Sequence, residues 1–96
     1  MPKGYLVTLY QSVSDPDKVA AYAKLAGPAI EAAGGRFLVR GPAVDAYEAG
    51  IKARTVVIEF ESLEAAKAVY PSPAYQEALA ALGDGAKRDM RLVEGT

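Results

Sequence analysis

The sequence predicts an α+β domain with the element order β-α-β-β-α-β, and three observations support this. Segments 4–12, 36–40, 53–60 and 89–94 are short and carry the alternating or continuous apolar pattern of strands. Segments 16–33 and 62–82 repeat apolar residues at helical spacing. Charged residues collect on the second and fourth strands, whereas the first and third are apolar on both faces and therefore central. The order is the split βαβ arrangement of ferredoxin-like folds, a four-stranded antiparallel sheet with its helices on one face.

The first helix has clear signals at both ends. Asp15 followed by Pro16 is an N-cap with proline at the first helical position. Gly34 and Gly35 predict a left-handed C-cap after residue 33. Pro28 has no amide hydrogen to donate, so we expect a kink or a break near residues 26–27. The sequence leaves open whether Pro28 opens a cavity.

Glycines and prolines also divide the rest of the chain. Gly41 and Pro42 predict a bend or bulge in the second strand, with a short continuation through residues 44–48. Gly50 indicates a turn into the third strand. Ser62 caps a helix that Pro71 ends, and Ser72 before residue 73 starts a further helix through residue 82.

Composition limits the classes of function. The 96 residues fit a single domain, 1–96, and the net charge of −1 argues against nucleic acid or an anionic membrane as partner. With no histidine and no cysteine, we expect no metal, no cofactor and no thiol chemistry. The amino terminus lacks a signal peptide and no stretch approaches the ~20 apolar residues of a membrane helix, so a cytoplasmic protein is expected.

A homodimer is predicted from the two-sided apolar pattern of the central strands. Helices cover only one face of such a sheet. If Val56, Ile58 and Phe60 pack on the helices, residues 55, 57 and 59 point the other way. Residues 36, 38 and 40 of the second strand join them if Phe37 and Val39 point in. A second copy packed sheet to sheet would cover this apolar surface.

The most distinct charged cluster is predicted where the second and third strands pair. It comprises Arg36, Arg40, Arg54 and Glu59. The structural interpretation is a set of ion pairs that fixes strand register or orients the dimer. The functional interpretation is a pocket for a small carboxylate ligand, because an arginine fork matches a carboxylate.

The chain has six tyrosines, and packing is the simplest role for those at core-facing helical positions. If a pocket lies between the first helix and the sheet, Tyr5 and Tyr22 are the tyrosines expected to line it. No catalytic residue is assigned from the sequence.

Four blocks of sequence resemble the domain-of-unknown-function family 1330. They are GGRFLVRG at 34–41, VVIEF at 56–60, SPAYQ at 72–76 and VEG at 93–95, and together they span nearly the whole chain. The resemblance implies a small bacterial, cytoplasmic protein of the dimeric α+β barrel type, with no established activity. It also implies relatives by fold among cofactor-free monooxygenases and muconolactone-type isomerases, although fold does not determine function.

Two functions are compatible with these observations. The first is a small-molecule binding or interaction module whose dimer is the functional unit. The second is a cofactor-independent isomerase or monooxygenase acting on an acidic or aromatic metabolite, in which Arg40 binds the acid and Glu59 moves a proton. A proton-transferring Glu59 needs a raised pKa, whereas neighbouring arginines lower it, so the sequence favours the first function.

Overall fold

The structure is a computed structural model that describes residues 2–96. The elements are β1 (Gly4–Val13), α1 (Pro16–Ala32), β2 (Arg36–Pro42), β3 (Arg54–Phe60), α2 (Leu63–Val69), α3 (Pro73–Leu82) and β4 (Ala86–Glu94). The last strand begins three residues earlier than the sequence pattern predicts, whereas the two helices predicted on either side of Pro71 are confirmed as α2 and α3.

The four strands form one antiparallel sheet in the order β2-β3-β1-β4. The prediction that the first and third strands are central and the second and fourth are edges is therefore confirmed. The charged residues of β2 and β4 lie at the sheet edges, where unpaired backbone groups face solvent and charged side chains discourage further strand addition.

One face of the sheet packs against the helices and forms the core. Strand β3 alternates as predicted, with Val56, Ile58 and Phe60 buried and the residues between them only partly buried. Leu6 and Thr8 of β1 lie on the same face, because they pair directly with Ile58 and Val56. The helices contribute the rest of the core through their buried residues Tyr22, Ala26, Ile30, Ala66, Val69, Tyr75, Ala78 and Leu82.

The predicted caps of the helices are confirmed. The Asp15 side chain accepts hydrogen bonds from the backbone amides of residues 17 and 18 at the start of α1. Ser62 and Ser72 cap α2 and α3 in the same way. Gly34 has φ +91°, the left-handed conformation that ends α1 at little cost because glycine has no Cβ. No helix among residues 2–96 has both the length and the apolar character to cross a membrane.

The break predicted at Pro28 is absent, since α1 runs without interruption to Ala32. A residue that precedes proline is normally driven out of the helical conformation by contact between its own Cβ and the proline ring. Gly27 has no Cβ, which removes this clash and lets the helix continue through Pro28. The helix therefore tolerates the one backbone hydrogen bond that Pro28 cannot donate.

The irregularity in β2 lies earlier than predicted. Phe37 pairs with Ile58 but Val39 pairs with Val57, so Leu38 is an extra residue in a β-bulge. Each later side chain of β2 is therefore moved to the opposite face from the one that simple alternation predicts. The predicted extension through residues 44–48 is also wrong, because residues 43–53 form a loop in which Glu48 has φ +54°.

The other face of the sheet, the open face, is not covered by any helix. Val39, Val57 and Val7 lie side by side across its centre, followed by Arg91 on β4. The loop 43–53 next to the sheet carries further exposed apolar side chains, among them Tyr47, which is 81% exposed. Such a surface is largely apolar and outward-facing, as the sequence pattern predicts for this side of the sheet.

Candidate functional site

A cavity lies between α1 and the helix-facing side of the sheet. The space open to the centres of water molecules is about 50 Å³. A single water needs roughly 10–15 Å³ by this measure, so the cavity would hold about four waters, a single ring or a short-chain acid. Its lining is Leu6, Thr8, Tyr10, Val19, Tyr22, Ala23, Ala26, Gly27, Ile30, Phe37, Arg40, Arg54, Val56, Ile58, Tyr75 and Arg88.

One end of the cavity is formed by two arginines on either side of a tyrosine. Arg88 pairs across the strands with Tyr10, and its guanidinium carbon lies 5.7 Å from the Tyr10 ring centre. The Arg54 guanidinium carbon lies 5.9 Å from the same ring. Both distances are within the range of cation–π attraction, so the Tyr10 ring holds the two like charges near one another.

The charge of Arg88 is preserved inside this partly buried site. Burial acts to lower the pKa of the guanidinium, but the nearby hydroxyls of Tyr22, Tyr75 and Tyr10 outweigh it and raise that pKa above its usual range. The guanidinium also lies 4.6 Å from the Tyr22 ring centre. Arg88 is therefore a fixed positive charge at any physiological pH.

A third arginine stands at the side of the cavity. Arg40 pairs with Val56, which places it on the helix-facing side of β2, and its guanidinium carbon lies 4.3 Å from the Phe37 ring centre. On the same face of the sheet, away from the arginines, Phe37, Ile58 and Leu6 are paired side by side and form an apolar surface. The cavity thus has a cationic end and an apolar end.

None of these three arginines forms a salt bridge with an acidic side chain among residues 2–96. The Nε atom of Arg54 is buried and has no hydrogen-bond partner in the described part of the chain. Among residues 2–96, no aspartate or glutamate lines the cavity. The site therefore combines positive charge that no acidic side chain offsets with an unused hydrogen-bond donor, an arrangement that costs free energy unless an acceptor is bound, and an anion would supply both the acceptor and the opposite charge.

Two tyrosine hydroxyls complete the polar wall. The Tyr22 and Tyr75 oxygens are 2.6 Å apart, and their rings pack edge to face with centres separated by 5.9 Å. Burial, and then Tyr22, raise the pKa of Tyr75 well above its usual range, so the Tyr75 hydroxyl keeps its proton near neutral pH. Since the pair needs only one of its two protons for the mutual hydrogen bond, the other is free to be donated.

The predicted charged cluster divides between the two faces of the sheet. Glu59 and Arg36 are paired on the open face, where Arg36 Nη2 lies 3.3 Å from Glu59 Oε1. The Tyr5 hydroxyl donates to Glu59 Oε2 at 3.0 Å, and this bond raises the pKa of Tyr5. Arg40 and Arg54 lie on the helix-facing side instead. Of the six residues predicted to bind a ligand, the cavity brings together only Arg40, Arg54 and Tyr22.

Two of these placements correct the sequence prediction for physical reasons. Arg40 was expected on the open face, and the bulge at Leu38 turns it to the helix side. Tyr5 was expected in a pocket with Tyr22, but it pairs with Glu59 on the opposite face. Arg40 and Glu59 therefore cannot act on one ligand from the same side of the sheet.

Sequence reasoning did not include Arg88, Tyr10 and Tyr75 in the site. Tyr10 had a usable signal, because it follows Leu6 and Thr8 at two-residue intervals and must share their face. Arg54 lies two and four residues before Val56 and Ile58 and must therefore share their face of the sheet. Arg88 lies before the predicted start of the last strand, and Tyr75 has the same helical spacing as an ordinary core residue.

A second depression of about 350 Å³ lies between the loop 43–53 and the ends of β1, β3 and β4. Two arginines line this depression, Arg54, which it shares with the cavity under α1, and Arg91. Two aspartates, Asp45 and Asp89, offset their charge, and Arg91 Nε and Nη2 donate to the two carboxylate oxygens of Asp89 at 3.1 and 2.8 Å. Within residues 2–96, no cluster of three acidic, histidine or cysteine side chains is placed to hold a metal ion. The cavity under α1 is therefore the stronger candidate for an anionic ligand.

The topology and the site define the class of protein: a ferredoxin-like α+β domain with a small cationic cavity between its first helix and its sheet. The model of the family described as domain of unknown function (DUF1330) matches residues 3–96. The chain belongs to this family. No match to a curated protein sequence was found.

Several crystal structures share the fold at low sequence identity. A protein of unknown function from Rhodopseudomonas palustris is 18% identical with a TM-score of 0.73, covering 99% of this chain and 83% of its own. SnoaB, a cofactor-independent oxygenase from Streptomyces nogalater, is 12% identical with a TM-score of 0.67, covering 100% and 95%. A dimeric ferredoxin-like protein of unknown function from Thermobifida fusca is 16% identical with a TM-score of 0.54, covering 97% and 91%. These likenesses support the ferredoxin-like fold.

Proposed function

We propose that this protein binds a small organic anion in the cavity under α1. The anionic head lies between Arg54 and Arg88, and the apolar body extends toward Ile58 and Phe37. The observation that carries the proposal is the buried, unpartnered Nε of Arg54 in a cavity that contains no acidic side chain. A carboxylate or similar oxyanion supplies the missing acceptor.

Without a ligand, the Nε of Arg54 lacks a hydrogen-bond partner among the described residues, and this costs free energy. A buried donor without a partner costs about 1–3 kcal/mol, and more if it is charged. A bound carboxylate accepts from Arg54 and offsets the like-charge repulsion between Arg54 and Arg88. The structural ion pairs of the open face need no ligand, because Glu59 already neutralises Arg36.

The test is calorimetric titration with benzoate, using benzamide as the uncharged control of the same shape. We expect wild-type protein to bind benzoate more tightly than benzamide by about 10-fold or more, since a hydrogen bond to a charged group contributes roughly 1.5–3 kcal/mol. The variant Arg54→Met should lose this preference. Methionine is unbranched like arginine, but it has neither the positive charge nor the Nε–H donor.

The matched control is Arg36→Met, which removes the same charge from the open face. Its side chain is 74% exposed, so the fold should tolerate the change. If benzoate and benzamide bind alike, or if Arg36→Met abolishes the preference while Arg54→Met keeps it, the cavity is not the anion site.

We infer that a homodimer through the open face is the functional unit. The support is the apolar row of Val7, Val39 and Val57 on a face without helices, and the description of the Thermobifida fusca relative by fold as dimeric. A second copy placed by a two-fold axis would bury both open faces at once. The cytoplasmic location expected from the sequence stays a prediction.

Cofactor-independent catalysis is the second candidate function. It is favoured by one observation, the shared fold of a cofactor-independent oxygenase. The two residues that the sequence suggested for this chemistry, Arg40 to bind the acid and Glu59 to move a proton, are separated, because Arg40 lines the cavity and Glu59 lies on the open face. With no carboxylate or histidine in the cavity, binding is the function that its side chains support best.

A further inference from the structure

The side chains that line the cavity offer protons and charge but no side-chain base. Three guanidinium groups, three phenols and the hydroxyl of Thr8 face the space, and the chain contains no histidine. A neutral hydroxylated ligand would bring one more proton into a site already rich in donors. Its conjugate base would bring no proton of its own and a negative charge, which the described lining lacks.

We propose that the cavity binds weak oxygen acids, namely phenols and enols, as their anions and lowers their pKa on binding. This inference rests on the proposed function and narrows it to ligands whose ionisation is coupled to binding. The ligand O–H bond breaks, the electron pair stays on the ligand oxygen, and the proton leaves to solvent water. No oxidant, reductant or metal takes part.

The electrostatic reason is the concentration of positive charge. An opposite charge within about 4–6 Å lowers the pKa of an acid by roughly 1–3 units. Arg54 and Arg88 both stand beside the Tyr10 ring at 5.9 and 5.7 Å, so an oxyanion at this end of the cavity lies close to both guanidinium groups. No carboxylate in the described lining weakens this attraction, which has to exceed the opposing effect of burial that raises the pKa of Tyr75 in the same lining.

The tyrosine pair adds a neutral donor to the same end. The hydroxyl oxygens of Tyr22 and Tyr75 are 2.6 Å apart, and one of the two hydroxyl protons makes their mutual hydrogen bond. The other proton can be donated to a ligand oxygen. A delocalised oxyanion can accept from this hydroxyl and from a guanidinium at the same time. The ring that carries the oxyanion fits the apolar end formed by Phe37 and Ile58.

The probe is 4-nitrophenol, whose anion is yellow and whose acid is colourless. Wild-type protein titrated into the probe below the free probe's pKa should produce a saturable increase in yellow absorbance. The apparent pKa of the bound probe should fall by about one unit or more, a tenfold or larger gain in the anion-to-acid ratio. Arg54→Met should reduce this shift, and Arg40→Met provides a second variant should the first fold poorly.

Arg36→Met is the matched control and should shift the probe as wild type does. Benzoate, which is already ionised at neutral pH, separates the two proposals. Benzoate binding without a saturable colour change from 4-nitrophenol would overturn this inference and leave the proposed function standing. If neither compound binds, both proposals fail.

Discussion

Replacing Phe60 with alanine is expected to lower the free energy of unfolding by about 3–5 kcal/mol, the largest loss of stability that a single substitution in the core should cause. Phe60 is 1% exposed and ends β3 beneath the helices. The loss combines the transfer free energy of the ring with the cavity that it leaves. Small proteins are stable by only about 5–15 kcal/mol, so chemical denaturation at a fixed protein concentration should show a large change.

Phe37→Ala is the matched control, because it removes the same ring from a site that is already partly open. Phe37 is only partly buried and lines the cavity. Its removal adds to an existing space, so we expect a clearly smaller loss than at Phe60. Equal losses at the two positions would contradict the placement of the core between Phe60 and the helices.

Introducing a lysine at Val57 is expected to separate the proposed homodimer. Val57 lies between Val7 and Val39 at the centre of the open face and is partly buried in the single chain. In a single chain the lysine can extend into water, whereas in a sheet-to-sheet dimer its charge would be buried without a partner. A cost of several kcal/mol would raise the dimer dissociation constant by about 100-fold or more.

Light scattering during size-exclusion chromatography measures this directly. Wild-type protein should have twice the 10.1 kDa mass of one chain, and Val57→Lys should have the mass of a single chain. Leu25→Lys is the control, because Leu25 is 43% exposed on α1 and far from the open face. A wild-type particle of 10.1 kDa would contradict the dimer, and an unaffected dimer in Val57→Lys would contradict the open face as its interface.

The order of the elements and the identity of the central strands were accessible from the sequence because they depend on local signals. The caps at Asp15, Ser62 and Ser72 each involve a side chain and amides within three residues. The period of two in β3 fixes which residues are buried. Charges on β2 and β4 identify edges, since burying them in the middle of a sheet would be costly.

The site was harder to predict because it depends on register. Strand pairing was expected to join Arg40 and Arg54 to Glu59, and one extra residue at Leu38 turns Arg40 to the other face. A bulge of this kind leaves no clear sign in the composition of β2, which has its glycine and proline later, at residues 41–42. The face of Arg54, by contrast, was predictable. Side chains alternate along a strand, and Arg54 is five residues from Glu59, so the two lie on opposite faces.

The helix α1 shows how one residue can cancel the signal of another. Pro28 alone predicts an interruption, and Gly27 removes the steric conflict that would cause it. Apart from its two chain neighbours and the backbone of its own helix, an added Cβ at Gly27 would meet no atom within 4 Å. This position lies beside the cavity, so its missing side chain also helps keep that space open.

The central claim is that the cavity under α1 is an anion site that uses Arg54. The most direct measurement is a nitrogen-15 NMR titration with benzoate that follows the arginine Nε–H resonances, because the Arg54 Nε is buried and unpartnered. The account predicts a saturable shift of the Arg54 Nε–H signal, with the Arg36 and Arg91 signals unchanged. A titration in which only those open-face arginines respond, or in which no arginine signal moves, would contradict it.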